Sequence, residues 1–355
     1  MLYQTKNSHG GDIYAEELLL DYSANTNPFG TPRTVLDAAA ASLDGLSAYP
    51  DPYCRGLVNA LSAYEQVPRD RILCSGGASE LIYAFCRALK PKTALVPSFA
   101  EYEKALGLCG CAPSHFLLKQ ENDFAVTEEL LTVLLKEKPQ VLFLCTPNNP
   151  TGVLLEPALL QKLLQLCLQT GTFVLLDECF LDMTAEGISA AAVADRFPNL
   201  VILKAFTKNF GMAGLRLGYC ISYNAGLLKA LAEECQPWNV STPAQAAGIA
   251  ACSAQDFLQK TRGLIEEERP KMAKALQSMG FYVCPSKANF LLFQGPAGLD
   301  EALRKEKIAI RSCSNFAGLK EGWYRIAVRL PAQNKQLMAA IARAAGKESP
   351  WQKTS

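Results

Sequence analysis

Lys208 and Arg216 stand eight residues apart in the stretch FTKNFGMAGLRLGY, directly after the apolar run LVILKA. Most lysines are exposed to solvent, and an isolated lysine after a strand is usually an ordinary surface residue. A lysine at the end of a buried strand can instead attack an aldehyde carbon and form a Schiff base. The choice between these interpretations depends on what the neighbouring strand ends carry.

Three other side chains with useful chemistry follow apolar runs of strand length: Phe99 in PSFAEY, Asn149 in TPNNPTG and Asp177 in LLDECF. Taken singly, each has an ordinary explanation, since Phe99 could be a core residue, Asn149 a turn residue and Asp177 a helix cap. Taken together with the lysine, they supply a stacking ring, an amide for a ring hydroxyl and a carboxylate that keeps a pyridine nitrogen protonated.

The segment CSGGASELIYAFCRAL (74–89) places glycines before Ser79 and an apolar-periodic helix after it. The backbone N–H groups and the dipole at such a helix start attract anions, although Ser79 could equally be an N-cap. Together with Arg216, this segment predicts a phosphate site. A phosphate site beside a lysine, a carboxylate, an amide and an aromatic ring predicts pyridoxal phosphate as the cofactor.

The elements that must position these residues follow from the alternation of strand-like and helical patterns between about residues 70 and 222. This alternation is typical of an α/β fold with a parallel sheet covered on both faces. In such sheets, ligands bind outside the carboxyl ends of the strands. After about residue 240 the pattern changes to α+β. We therefore predict an N-terminal arm (1–30), a large cofactor-binding domain (31–240), a small C-terminal domain (241–346) and a flexible tail (347–355).

Composition excludes several classes of protein. The chain has 355 residues, 49% of them apolar, and a net charge of +1, which argues against nucleic-acid or anionic-membrane binding. Its thirteen cysteines form no C-x-x-C pair and it has only two histidines, so neither a metal site nor thiol chemistry is expected. The sequence has no signal-peptide pattern and no run of 18 apolar residues, and we expect a cytoplasmic protein with no membrane partner.

The motifs SGGASE, PSFAEY, TPNNPTG, LLDE, FTK and GLRLGY, in this order and spacing, resemble those of fold-type I pyridoxal-phosphate enzymes of the class I/II aminotransferase superfamily. The resemblance implies a large domain with a mostly parallel seven-stranded sheet between helices, beside a smaller α+β domain. It also implies a homodimer with active sites at the interface, where Tyr49 in SAYPDPY would reach the neighbour's cofactor phosphate.

The resemblance assigns the catalytic roles to Lys208, which would bind the cofactor aldehyde, and to Asp177, which would pair with the ring nitrogen. Phe99 would stack on the ring and Asn149 would bind its hydroxyl. The expected cofactor-binding residues are Ala78, Ser79, Phe99, Asn149, Asp177, Thr207, Lys208, Arg216 and Tyr49.

Within the superfamily, the chain resembles two subfamilies, the threonine-phosphate decarboxylases and the histidinol-phosphate aminotransferases. Phe180 favours the first, because the aminotransferases usually carry a tyrosine at that place. Asp12 departs from the decarboxylases, which more often have asparagine, and an acid there would repel a substrate phosphate. The segments similar to the decarboxylases are HGGD (9–12), DYSANTNPFG (21–30), IRSCSNFAGL (310–319) and YRIAVRLPAQN (324–334).

The expected reaction is decarboxylation of L-threonine O-3-phosphate to (R)-1-amino-2-propanol O-2-phosphate, used for the cobalamin nucleotide-loop linker. Transamination of histidinol phosphate with 2-oxoglutarate and decarboxylation of O-phosphoserine remain open. Arginine suits carboxylate and phosphate groups, and Arg329, which shares a strand face with Arg325, either supports the site or lies at the surface. The expected substrate-binding residues are His9, Asn25, Asn149, Arg311 and Arg325.

Two further classes of function are disfavoured. A non-catalytic pyridoxal-phosphate sensor would need an additional DNA-binding domain, for which 355 residues filled by the enzyme fold leave no room. A nicotinamide dehydrogenase would need a G-x-G-x-x-G motif after an early strand, and the sequence has no such glycine spacing.

Overall fold

The computed structural model of the chain describes residues 10–14, 20–97 and 100–348. Two predicted site residues, His9 and Phe99, lie outside these ranges, as do residues 349–355 of the predicted tail. No helix in the described part of the chain has both the length and the hydropathy of a membrane span.

The described residues form strands and helices that alternate over much of the chain. The strands are β1 Leu20–Asp21, β2 Ile72–Ser75, β3 Ala94–Val96, β4 Ser114–His115, β5 Val141–Cys145, β6 Phe173–Asp177, β7 Leu200–Ala205, β8 Gly218–Ile221, β9 Tyr282–Val283, β10 Phe290–Gln294, β11 Ile308–Ala309, β12 Arg311–Ser312 and β13 Trp323–Ala327. The α-helices are α1 Arg33–Ala41, α2 Arg55–Glu65, α3 Ala78–Leu89, α4 Ala100–Leu108, α5 Glu129–Glu137, α6 Pro157–Thr170, α7 Phe206–Asn209, α8 Ala225–Glu233, α9 Thr242–Cys252, α10 Gln255–Ser278, α11 Leu299–Lys305 and α12 Pro331–Ala344. Short 3-10 helices span Ser42–Gly45, Arg69–Arg71, Gln120–Asn122, Leu181–Met183, Ala190–Arg196 and Ala213–Leu215.

The largest sheet has seven strands in the order β2-β8-β7-β6-β5-β3-β4. The pairs from β7 to β4 are all parallel, whereas β8 runs antiparallel to both of its neighbours. The predicted mostly parallel, seven-stranded sheet is therefore confirmed.

The central strands of this sheet are apolar because both of its faces are covered. Every residue of β5 is buried, and successive side chains enter different cores: Leu142 and Leu144 join one, Val141 and Phe143 the other. Continuous apolar runs are typical of such strands, since alternation would expose one face to water. The sheet edge at the carboxyl ends of the strands is thus left as the place where polar side chains meet.

Local signals set the bounds of the helices that cover the sheet. At the start of α6, the side chain of Glu156 accepts a hydrogen bond from the Leu159 N–H (2.7 Å) and Pro157 takes the first helical position. Gly171 ends the helix with a φ of 73°, a conformation that favours glycine. These local signals set both ends of α6.

A second, antiparallel sheet has the order β12-β13-β10-β9 and packs against α10 and α12. The short β1 pairs with β11, which brings the N-terminal segment to this sheet. Helix α9 contributes Ala244 and Ala251 to a core of the seven-stranded sheet. The division of the chain into domains at residue 240 remains a prediction.

Candidate active site

A cavity of about 230 Å³ opens at the carboxyl ends of β5, β6 and β7. The residues that line it come from distant parts of the chain, from Gly10 to Arg325. The predicted site residues that line it are Asn25, Ala78, Ser79, Asn149, Asp177, Thr207, Lys208, Arg216, Arg311 and Arg325.

Lys208 lies in the single helical turn α7, which directly follows β7. Burial lowers the pKa of the Lys208 amine to about 8, and the positive charges of Arg325 and Arg216 act in the same direction. A lysine with this pKa is partly in its neutral form at pH 7 to 8, and the neutral amine is the form that attacks a carbonyl carbon.

Asp177 ends β6 and is held by two donors. Its Oδ2 accepts a hydrogen bond from the Tyr102 hydroxyl (2.9 Å), and its Oδ1 accepts one from the Cys179 N–H (2.9 Å). Burial raises the pKa of Asp177, whereas these hydrogen bonds and the charge of Lys208 act in the opposite direction. The carboxylate is therefore fixed in orientation and placed in the same cavity as the lysine.

The start of α3 forms a cradle that only glycine permits. Gly77 caps the helix with a φ of 102°, and a Cβ there would lie 2.8 Å from Nη2 of Arg216. A Cβ on Gly218 would lie 2.5 Å from the backbone nitrogen of Ala78. The free N–H groups at this helix start, with the Arg216 guanidinium beside them, form an anion site.

Asn149 and Arg325 lie together in the cavity, although 176 residues separate them in sequence. The Asn149 Oδ1 accepts a hydrogen bond from Arg325 Nη1 (2.5 Å), and Arg325 Nη2 donates to the Ser23 carbonyl (2.9 Å). Arg325 is 7% exposed, and its Nε has no partner among the described residues. A buried guanidinium with a donor to spare is suited to binding an anionic group.

Asn25 is the most buried of the predicted substrate-binding residues, at 1% exposure. Neither the nitrogen nor the oxygen of its side-chain amide has a hydrogen-bond partner within the described part of the chain. Such orphaned groups are costly unless something binds them, so this amide indicates that a polar ligand enters the cavity.

Arg329 holds the segment that carries Asn25. Its guanidinium donates to the carbonyls of Asp21 (2.8 Å) and Ala24 (3.1 Å) and to the Thr26 hydroxyl (3.2 Å). Of the two interpretations that the sequence left open for Arg329, support of the site is therefore the one that holds.

Arg311 lines the cavity from the second sheet. Its Nη2 donates to Asn315 Oδ1 (2.7 Å), and its guanidinium lies 5.5 Å from the centre of the Phe316 ring. Phe316 lines the cavity too, as does Phe180, whose ring centre lies 6.0 Å from Lys208 Nζ. This part of the cavity thus combines a cation with apolar walls.

Tyr49 is not among the residues that line the cavity of its own chain. Its side chain is 78% exposed and stacks on Trp238, with ring centres 4.5 Å apart. The roles predicted for His9 and Phe99 fall outside the described residues. Asp12 lies within the described residues; its side chain is exposed, and it does not line the cavity.

Sequence reasoning missed Tyr102 and Cys179, which hold Asp177. The signal for Tyr102 was present, because it follows Phe99 by three residues and side chains at that spacing share a helix face. Cys179 holds the carboxylate through its backbone, which no side-chain motif could have indicated.

The residues present fit pyridoxal phosphate. The cradle at Gly77 and Arg216 suits its phosphate, the partnered carboxylate of Asp177 suits its ring nitrogen, and the amine of Lys208 suits its aldehyde. The amide of Asn25, which has no hydrogen-bond partner among the described residues, leaves room for a second polar ligand.

Comparison with known proteins agrees with this fit. The profile of the family "Aminotransferase class I and II" matches residues 18–341. A threonine-phosphate decarboxylase of Salmonella typhimurium is 34% identical over 94% of this chain and 95% of its own length. A histidinol-phosphate aminotransferase of Methanosarcina mazei is 31% identical over 92% of this chain and 88% of its own.

Among solved structures, the L-threonine-O-3-phosphate decarboxylase from Porphyromonas gingivalis superimposes with a TM-score of 0.81 at 25% identity, covering 93% of this chain and 100% of that one. The profile match and the identities show common descent, and the fold and the cavity agree with them. The chain is therefore a pyridoxal-phosphate-dependent enzyme and belongs to the class I and II aminotransferase family.

Proposed function

We propose that the enzyme decarboxylates L-threonine O-3-phosphate to (R)-1-amino-2-propanol O-2-phosphate. The observation that carries this proposal is the pair of arginines, Arg325 and Arg311, that line the same cavity as Lys208. The substrate has two anionic groups, a carboxylate and a phosphate, and each needs a cation when it leaves bulk water for the cavity. The similarity to threonine-phosphate decarboxylases points to the same substrate.

In this proposal, each residue has a defined task. Arg325 and Asn149 bind the carboxylate side of the substrate, and Arg311 binds the phosphate. Pyridoxal phosphate, when bound, supplies the electron sink that accepts the electron pair of the bond broken at Cα. Asp177 holds the proton on the ring nitrogen, and the Lys208 amine, once protonated, delivers a proton to Cα after carbon dioxide has left.

Phe180 is central to the choice of reaction. Its ring lies beside Lys208 and packs on Phe290, with ring centres 5.0 Å apart, so this wall of the site has no hydroxyl group. The histidinol-phosphate aminotransferases usually carry a tyrosine there. The 31% identity to such an aminotransferase nevertheless makes transamination of histidinol phosphate the second candidate.

One set of assays separates the candidates. The purified holoenzyme is given O-phosphothreonine, O-phosphoserine, or histidinol phosphate with 2-oxoglutarate, and carbon dioxide and glutamate are measured in each reaction. We expect carbon dioxide from O-phosphothreonine and no glutamate. Glutamate without carbon dioxide would establish the aminotransferase, and faster release from O-phosphoserine would change the substrate.

We also propose that two copies of the chain form a homodimer in which Tyr49 completes the partner's site. An exposed apolar surface, formed by α1, α9 and the segments that precede α2 and α9, supports this, because α9 packs against both α1 and α2 and surfaces of this kind often mark an interface. The residues of this surface are Leu36, Leu43, Leu46, Tyr49, Tyr53, Trp238 and Ile249. Burying it would remove seven large apolar side chains from water.

Subunit mixing tests the dimer. Lys208→Ala and Tyr49→Ala subunits are each expected to be impaired, but a mixed dimer contains one site with both residues intact if Tyr49 acts across the interface. Activity that returns on mixing supports the proposal. Two impaired variants that stay impaired when sedimentation shows mixed dimers would place Tyr49 in its own subunit's site or in none.

The proposed cellular compartment rests on the state of the cysteine thiols. All thirteen cysteines are free, as expected in a reducing environment, and we propose that the enzyme works in the cytoplasm.

A further inference from the structure

A group of buried charges lies directly behind the Lys208 turn. The Nζ of Lys204, on β7, lies 2.8 Å and 3.0 Å from the two carboxylate oxygens of Glu65, at the end of α2. It also lies 3.2 Å from Oδ1 of Asp182, in the 3-10 helix Leu181–Met183. We call Glu65, Asp182 and Lys204 the Lys204 cluster; the exposed fractions of their side chains are 5%, 15% and 5%.

The polar groups of the cluster are satisfied by neighbouring hydroxyl and amide groups. The Tyr219 hydroxyl donates to Glu65, and the Tyr64 hydroxyl donates to Asp182 Oδ2 (3.4 Å). Burial opposes the charge on Lys204, but the carboxylates of Asp182 and Glu65 outweigh it and raise the pKa of this lysine. The cluster thus places a charged lysine beside two largely buried carboxyl groups.

One contact joins the cluster to the active-site lysine. Asn209 follows Lys208 in sequence, and its side-chain Nδ2 donates to Asp182 Oδ2 (3.0 Å). The carbonyl of Asn209 accepts a hydrogen bond from Asn27 Nδ2 (2.7 Å). The residue after Lys208 is therefore held on two sides, by Asp182 and by the N-terminal segment.

Asp182 also fixes the other wall of the site. It follows Phe180 by two residues, and its carbonyl accepts a hydrogen bond from Arg262 Nε of α10 (2.7 Å). Phe180 and Lys208 face each other across 6.0 Å in the cavity. Asp182 thus lies where the two chain segments that carry Phe180 and Lys208 are tied to each other.

Stability alone is a weak explanation for such a cluster. Buried ion pairs contribute little net stability, and apolar residues of similar volume often serve as well. A cluster of charges with fixed donor geometry does, however, specify one arrangement of the segments that it joins. An orientation role accounts for the position of the cluster, which touches the turn after β7.

We propose that Asp182 is a positioning residue for Lys208: through Asn209 and Lys204 it fixes the α7 turn so that the Lys208 amine meets the cofactor aldehyde. The proposal rests on the proposed role of Lys208 as the cofactor-binding lysine. It adds a residue that touches neither cofactor nor substrate.

The test compares Asp182→Asn with Asp256→Asn in the holoenzyme. Asp256 lines the same cleft of about 470 Å³ above the cluster, but it is exposed, so the control removes the same charge without touching the turn. Two quantities are measured without substrate: the dissociation constant of the cofactor and the pH midpoint at which its visible absorption changes.

For Asp182→Asn we expect cofactor binding about tenfold weaker, because small misplacements of a reacting group have effects of this size or larger. The absorption midpoint should rise by about one unit, since water that enters a loosened turn favours the charged form of the lysine–cofactor bond. Asp256→Asn should stay within about twofold of the parent enzyme.

A second variant protects the test against a misfolded protein. Asn209→Ala removes the contact with Asp182 and leaves the three charges of the cluster in place, and we expect the same two shifts. If both Asp182→Asn and Asn209→Ala keep the parent's cofactor affinity and midpoint, the cluster is structural and the proposal is wrong. A wrong assignment of Lys208 would give a different result. In that case the Lys208→Ala variant would still contain cofactor that borohydride fixes to the protein.

Discussion

Lys204 and Lys208 are four residues apart, and both lie largely inside the protein, yet the pKa values of their amines are shifted in opposite directions. Lys204 faces the carboxylates of Glu65 and Asp182, which raise its pKa in spite of burial. Lys208 has no carboxylate at ion-pair distance among the described residues, and burial together with Arg325 lowers its pKa to about 8. Burial alone therefore does not decide the protonation of a lysine; its partners do, and four residues separate a paired cation from an amine that is partly neutral near pH 8.

The same substitution at both positions gives the largest contrast in function. Lys208→Met removes the amine that we propose binds the cofactor, and we expect loss of borohydride-fixable cofactor and a fall in turnover of at least about a thousandfold. Lys204→Met should retain borohydride-fixable cofactor, although its affinity for the cofactor should be lower. Mass spectrometry of the reduced protein and a carbon dioxide assay measure the two effects.

Equal retention of fixed cofactor in both variants would contradict this contrast. It would mean that another lysine binds the cofactor.

For the free energy of unfolding we expect the reverse order, with Lys204 as the more sensitive of the two positions. Lys204→Met leaves Glu65 and Asp182 buried together without a cation, which should lower the free energy of unfolding by about 3 to 5 kcal/mol. Replacing all three residues of the Lys204 cluster with apolar residues of similar volume should recover most of this loss. Urea unfolding followed by circular dichroism measures both. A triple variant as unstable as the single one would show that the charges themselves stabilise the fold.

The smallest expected effect is a dependence of stability on pH. In the cofactor-free chain, Lys208 has a lower pKa than the ordinary 10.5 of an unfolded lysine, so the unfolded chain binds more protons between pH 8 and 10.5 and stability rises over that range. Lys208→Met removes this term. The variant should be more stable than the parent by about 3 kcal/mol at pH 7, with most of the difference gone at pH 10.5.

Unfolding curves at pH 7 and pH 10.5 suffice for this measurement. A difference that stays constant between the two pH values would mean that the Lys208 pKa is not lowered.

The part of the cavity around Lys208 and the part around Arg325 differ in how much of them could be predicted from the sequence. The meeting of Asp177 and Lys208 in one cavity could be predicted because they lie at or just past strand ends, and parallel strands bring such positions to one edge of the sheet. The pairing of Arg325 with Asn149 could not be predicted, since no local pattern specifies a contact between segments 176 residues apart.

The Lys204 cluster escaped prediction for a related reason. Lys204 lies within the apolar run LVILKA, where the continuous apolar pattern predicts burial but not which residue neutralises the charge. Its partner Glu65 comes from a helix 139 residues earlier. Only the packing of α2 against the sheet shows that a buried lysine is paired.

The stacking of Tyr49 on Trp238 gives the molecule an optical reporter at the proposed interface. Trp238 is 46% exposed in the single chain, whereas Trp323 is buried, so quenchers in solution reach the first indole and not the second. Association through this surface would shield Trp238 and shift its emission to shorter wavelength. Because the chain has a third tryptophan, Trp351, the measurement uses a Trp351→Phe variant; diluting it while following the emission of Trp238 would follow assembly with no label and no substrate.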